Sequence, residues 1–125
     1  MAQYMLLLHS DPKEATDMPR EKMMELIRRY SAWAAALREK GKLVSSEKLA
    51  PGRVRHIRLK DGAPVASDGP YAEAKDVIGG YFMVEAASDA EAETIARECP
   101  HLWGSNWVEL RPVDEMAVAQ AKAGG

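Results

Sequence analysis

Tyr4-Met5-Leu6-Leu7-Leu8-His9 is a short run, apolar on both alternating phases, and Ser10-Asp11-Pro12 closes it. Its brevity and the following proline predict a strand buried on both faces, central in a sheet. Farther on, Met23, Leu26, Ile27, Tyr30, Trp33, Ala34 and Leu37 recur at three- and four-residue steps, and charged residues fill most of the remaining wheel. This spacing predicts an amphipathic helix of about five to six turns with its stripe on a core. Asp17 is the expected N-cap, Pro19 suits the first turn, and Gly41 suits the position after the last.

The pattern then shortens. Leu43–Leu49 and Val54–Leu59 read as strands, and Lys60-Asp61-Gly62 as a hairpin turn into a return strand over Ala63–Ser67. Asp68-Gly69-Pro70 is expected to break regular pairing, because proline has no N–H to donate. Residues 71–78 read as a loop or one helical turn, and Gly79-Gly80 as the entry to a strand over Tyr81–Ala86. Ser88 and Glu91 have capping-box spacing before a helix that turns Ala92, Ile95, Ala96 and Cys99 inward, until Pro100 stops it. Trp107–Arg111 is the last strand.

Strand, helix, strand or hairpin, strand, helix, strand is the split β-α-β order. The expected fold class is α+β, a ferredoxin-like antiparallel sheet with both helices on one face. The other face would carry Tyr81, Met83 and Glu85 on one strand and Trp107, Glu109 and Arg111 on another. Covering it with a second copy predicts a homodimer. Residues 1–114 are expected to form one domain, with 115–125 a poorly ordered or short helical tail.

Composition narrows the function classes. The 125 residues are 46% hydrophobic and 29% charged, a soluble globular balance. A net charge of -2 gives no electrostatic reason to expect nucleic acid. No apolar run is long enough for a bilayer, and the opening residues lack the basic segment of a secretory signal, so a cytoplasmic protein is expected. A single cysteine excludes an internal disulfide and a cysteine-based zinc cluster.

Several segments together carry a family resemblance: DGPYAEAKDVIGGYFMVEAAS at 68–88, ARECPHLWG at 96–104, WVELRPV at 107–113, YMLLLHSDP at 4–12 and the KDG turn at 60–62. With these the chain resembles the YCII-related family, in particular its DGPF branch, over roughly residues 3–114. Tyr71 stands where that branch usually has phenylalanine. The resemblance implies a dimeric α+β barrel, two ferredoxin-like units packed sheet to sheet. In the wider family a His–Asp pair, its histidine on the first helix, is the basis for suggesting enzymes. This chain has no histidine between Arg20 and Lys40, and only Asp68 matches an acidic position of the motif.

Asp68 is either a general base in a desolvating cavity or a turn former bonded to nearby backbone. His9 ends the first strand and His101 follows the second helix, places where sites gather. Each is either a proton-transfer partner of Asp68 or a satisfied polar group. His101 is the preferred partner, with a pKa raised by the carboxylate. His56 shares a strand face with Arg58 and reads as exposed. Arg58 and Arg111 suit a carboxylate or phosphate, or else belong to an internal network with Glu85 and Glu109. Tyr71, Glu73 and Lys75 either line a pocket mouth or form a packing anchor and a solvated pair. Trp103 and Trp107 read as ligand platforms or interface anchors. His9, Asp11, Asp68 and His101 offer metal-binding atoms without a diagnostic spacing, and Gly79-Gly80 lacks a phosphate-loop pattern. No metal and no organic cofactor is expected.

Two functions follow. One is an enzyme doing cofactor-independent acid/base chemistry (elimination, isomerisation or hydrolysis) on a small anionic or aromatic molecule in a dimer cavity. The other is a non-catalytic dimeric ligand-sensing or protein-interaction module. The resemblance allows a link of that module to transcription, because such domains also occur joined to transcription-related proteins.

Overall fold

Strand β1 (Ala2–Ser10) lies inside a four-stranded antiparallel sheet, as its doubly apolar sequence requires. The computed structural model describes residues 1–12, 18–50, 52–69 and 76–115. In chain order the remaining elements are α1 (Arg20–Glu39), β2 (Leu43–Lys48), β3 (Val54–Lys60), β4 (Ala63–Gly69), β5 (Val77–Ala86), α2 (Asp89–Arg97) and β6 (Trp107–Pro112). The sheet order is β2-β5-β1-β6, and β3 and β4 form a separate two-stranded sheet. Each helix therefore joins two strands that flank a third, the expected split arrangement. Among the described residues, no helix is long and apolar enough to cross a membrane.

Register divides the sheet into two faces. Leu6 pairs with Phe82 and Leu110, and Leu8 with Gly80 and Val108. These side chains meet the helices, where Leu6 and Val84 have no exposure and Leu37, Ala92 and Ile95 close the core. Phe82 meets Trp33 edge to face, ring centroids 4.8 Å apart. The alternate positions, Met5, Leu7, Tyr81 and Met83, are only half-buried and point away from the helices.

Local chemistry sets the boundaries. Ser88 Oγ accepts the Glu91 N–H at 3.1 Å and starts α2, as its spacing predicts. Pro19 occupies the N-cap of α1 and makes no side-chain cap, while the expected capping residue Asp17 lies outside the described residues. Asp61 and Gly62 both take positive φ (52° and 82°), as a tight hairpin turn demands.

Four expectations change. Gly79 and Gly80 lie inside β5, which begins at Val77. A Cβ at Gly80 would stand 2.7 Å from the Glu47 carbonyl oxygen, so the glycine admits close backbone approach within the sheet. Asp68 and Gly69 remain paired, opposite Arg55 and Val54, so the strand runs on to the residue before Pro70. The His56 imidazole lies over Gly69, where any Cβ would collide with it, so His56 is half-buried rather than exposed. Finally, the apolar stripe of α1 is buried only in its second half. Tyr30, Trp33, Ala34 and Leu37 pack on the core, whereas Met23 (45%) and Ile27 (57%) remain exposed.

Candidate functional site: a cleft between the first helix and the sheet

The first half of α1 stands away from the sheet and leaves a cleft of about 530 Å³. Met23, Leu26, Ile27, Tyr30 and Ser31 line it from the helix, and Leu8, Ser10, Ser46, Lys48 and Phe82 from the strands. His101, Trp103 and Asn106 close it from the segment after α2. The wall is mainly apolar with a few polar groups, the usual make-up of a small-molecule site.

His101 is buried in this wall. Its Nε2 lies 2.8 Å from the His9 carbonyl oxygen, which can only accept. Nε2 therefore carries the proton of the neutral ring, with Ser10 Oγ a longer contact at 3.4 Å. That leaves Nδ1 as an acceptor, and the Tyr30 hydroxyl donates to it at 2.8 Å. Burial pushes the His101 pKa below its ordinary value, against the opposing effect of the His9 carbonyl. Burial likewise pushes the Tyr30 phenol up. Both groups are neutral at pH 7, and the bond between them fixes the tautomer of one and the rotor of the other.

The other expected site residues are dispersed. Asp68 sits on the β3–β4 hairpin, 89% exposed, and accepts from Arg55 Nη1. Its carboxylate bonds neither His101 nor the backbone of a turn, because continued strand pairing aims it across to Arg55. The expected rise in the His101 pKa is reversed: burial dominates, and among the described residues no carboxylate reaches the ring. His9 lies on the sheet face away from the helices. Its Nε2 donates to Glu109 Oε1 at 2.9 Å, and its ring stacks on Trp107 with centroids 3.9 Å apart. It serves the cleft through its backbone carbonyl.

Arg111 is on that same face, 3.9 Å from Glu109 Oε2 and largely exposed, a loose member of the expected Arg–Glu network. Arg58 is on the exposed hairpin. Tyr71, Glu73 and Lys75 lie outside the described residues. Trp103 lines the cleft, and Trp107 instead covers His9 and donates to Asp76 Oδ1 at 2.9 Å. Cys99 is buried, and burial raises its pKa, as a small core residue requires. Among the described residues, no three histidine, cysteine or acidic side chains converge on a metal-sized site.

Tyr30 is the functional candidate that the pattern concealed, because it occupies a core position of the helical stripe. Its hydroxyl is the available signal, since a buried phenol needs a hydrogen-bond partner.

Over 112 residues the chain is 29% identical to an uncharacterized protein of Rhizobium meliloti (strain 1021), covering 88% of this chain and 90% of that protein. Residues 2–117 match the YCII-related domain, so a split antiparallel sheet with its helix-side cleft belongs here to a member of the YCII-related family.

Proposed function

We propose that the protein binds a small, largely apolar molecule in the cleft between α1 and the sheet, anchored through the Tyr30–His101 pair. The carrying observation is that pair, His101 buried and Tyr30 half-buried, both neutral, in a mainly apolar wall. A non-catalytic ligand-binding module needs nothing more. The test is a set of neutral aromatic and aliphatic fragments followed by amide chemical shifts. Fragments that move Leu8, Tyr30 and Trp103 and raise the melting temperature support the site, since binding to the folded state alone is stabilising. Shifts confined to other surfaces would refute it.

A specific feature also favours a second reading, cofactor-independent proton transfer. Tyr30 oxygen can take a proton from an acidic C–H while its own proton passes to His101 Nδ1, leaving an imidazolium whose Nε2–H stays on the His9 carbonyl. Reversal delivers the proton to another carbon, so an isomerisation balances without a co-reactant. Hydrogen exchange into a bound ketone in deuterated water, lost in Tyr30→Phe while binding persists, separates catalysis from binding. Asp68 takes no part in this scheme.

The assembly follows from the open face. Its half-buried Met5, Leu7, Tyr81 and Met83, with Trp107 41% exposed, support a second copy packed sheet to sheet, giving the ferredoxin-like dimeric barrel. Sedimentation should then give ~28 kDa for the 13.8 kDa chain, and a persistent monomer would remove this reading. The DGP-aromatic-AE-x-K run at 68–75 supports placement in the DGPF branch.

A further inference from the structure

We infer that the ligand of the cleft is a monocarboxylate, a short apolar or aromatic acid whose carboxylate meets Lys48 and whose second, uncharged polar group meets Tyr30. The inference rests on the cleft being the binding site. Cross-strand partners share a sheet face, and Lys48 is opposite Gly80 while Ser46 is opposite Phe82. Lys48 is therefore directed to the helix side, into the cleft it lines. Glu47 also borders the cleft, but it is opposite Tyr81, so register turns its carboxylate to the other face while its backbone approaches Gly80. Tyr30 and His101 are neutral. Among the described residues, Lys48 is then the charge on the helix side of this cleft, and no carboxylate among them pairs with it.

Spacing defines the rest of the ligand. Lys48, Gly80 and Leu8 lie abreast on adjacent strands, so the backbone at Lys48 stands about 10 Å from β1, two strand spacings away. His101 reaches the same end of β1 through the His9 carbonyl. Phe82, on the intervening strand, supplies apolar wall between the two polar ends. That span suits one aromatic ring or a short alkyl chain. A single ammonium matches a monoanion, whereas a phosphate dianion would leave half its charge uncompensated against apolar surface.

The test uses 4-hydroxyphenylacetate and its neutral amide, 4-hydroxyphenylacetamide, with wild type and Lys48→Met, followed by amide shifts and Trp103 fluorescence. Lys48→Met keeps the apolar stem at an exposed edge-strand position. Wild type should prefer the acid by about fivefold at low salt, and the preference should shrink in high salt. Lys48→Met should lose that preference while binding the amide as before. Equal binding of acid and amide, preference for the amide, or a preference that survives Lys48→Met would overturn the carboxylate assignment and leave the cleft intact. If neither probe perturbs the cleft, the ligand-binding reading falls with it.

Discussion

Replacing Tyr30 by phenylalanine removes one oxygen and tests the central contact. The ring stays on the core side of α1, so the apolar packing is retained. What is lost is the hydroxyl donor 2.8 Å from His101 Nδ1. His101 is only 7% exposed, so water cannot readily replace that donor. Leaving a buried acceptor unmet typically costs about 1–3 kcal/mol. The phenol no longer needs desolvation, which offsets part of this, so the net loss should be about 1–2 kcal/mol. For a domain of this size that lowers Tm by roughly 4–8 °C. Urea unfolding at pH 7.5 measures it, with Ser10→Ala as a control that removes only a 3.4 Å contact. Nitrogen NMR of the His101 ring gives a second readout: the wild-type ring should carry its proton on Nε2. Unchanged stability together with a proton on Nδ1 would refute both the bond and the fixed tautomer.

Three further outcomes follow. His101 has a depressed folded pKa, so its contribution to stability is complete above the unfolded value near 6.5 and is lost as pH falls toward the folded one. Wild type should therefore lose more stability than His101→Gln between pH 7 and 5, at most about 1.4 kcal/mol per pH unit, as chemical denaturation across that window reads; parallel curves would refute the burial of a neutral imidazole. Gly80→Ala drives a Cβ against the Glu47 carbonyl and should cost about 1–3 kcal/mol, with amide shifts concentrated along β2; an unperturbed variant would show that β2 yields freely. Asp68→Ala should leave Tm within about 3 °C, because an exposed ion pair contributes little; a larger drop would show that the hairpin depends on it.

The legible parts of the fold were those in which one residue's neighbours along the chain determine its environment. The doubly apolar β1, the Ser88–Glu91 cap and the Asp61-Gly62 turn are local signals, and each formed as its chemistry demands. Strand β5 began earlier than Gly79-Gly80 suggested, because the reason for Gly80 lies on another strand, at Glu47. The site was less legible for the same cause. His101 stood out as a titratable group after a helix, but its partners, Tyr30 and the His9 carbonyl, are far away in sequence. Asp68 read as a turn former before Gly-Pro or as a general base in a cavity, whereas hairpin register fixed its partner as Arg55. The helical stripe of α1 predicted one continuous buried face, and nothing in its periodicity marks Tyr30 as the point where the helix leaves the sheet.

The β3–β4 hairpin has a consequence for cooperativity. Among the described residues its two strands pair only with each other, and Ile57 (70%) and Leu59 (76%) are largely exposed. A two-stranded ribbon is marginal in water. The hairpin should therefore open in a sub-global event, with its amides exchanging well before those of β1 and β5. Both of its ends belong to the connection between β2 and β5, so melting it converts an ordered arm into a longer loop, at an entropic cost that grows only logarithmically with length. The four-stranded sheet and its cleft thus form one folding unit and the arm a second, weaker one, and limited proteolysis at Asp61-Gly62 should nick the arm while leaving Tyr30 and His101 together.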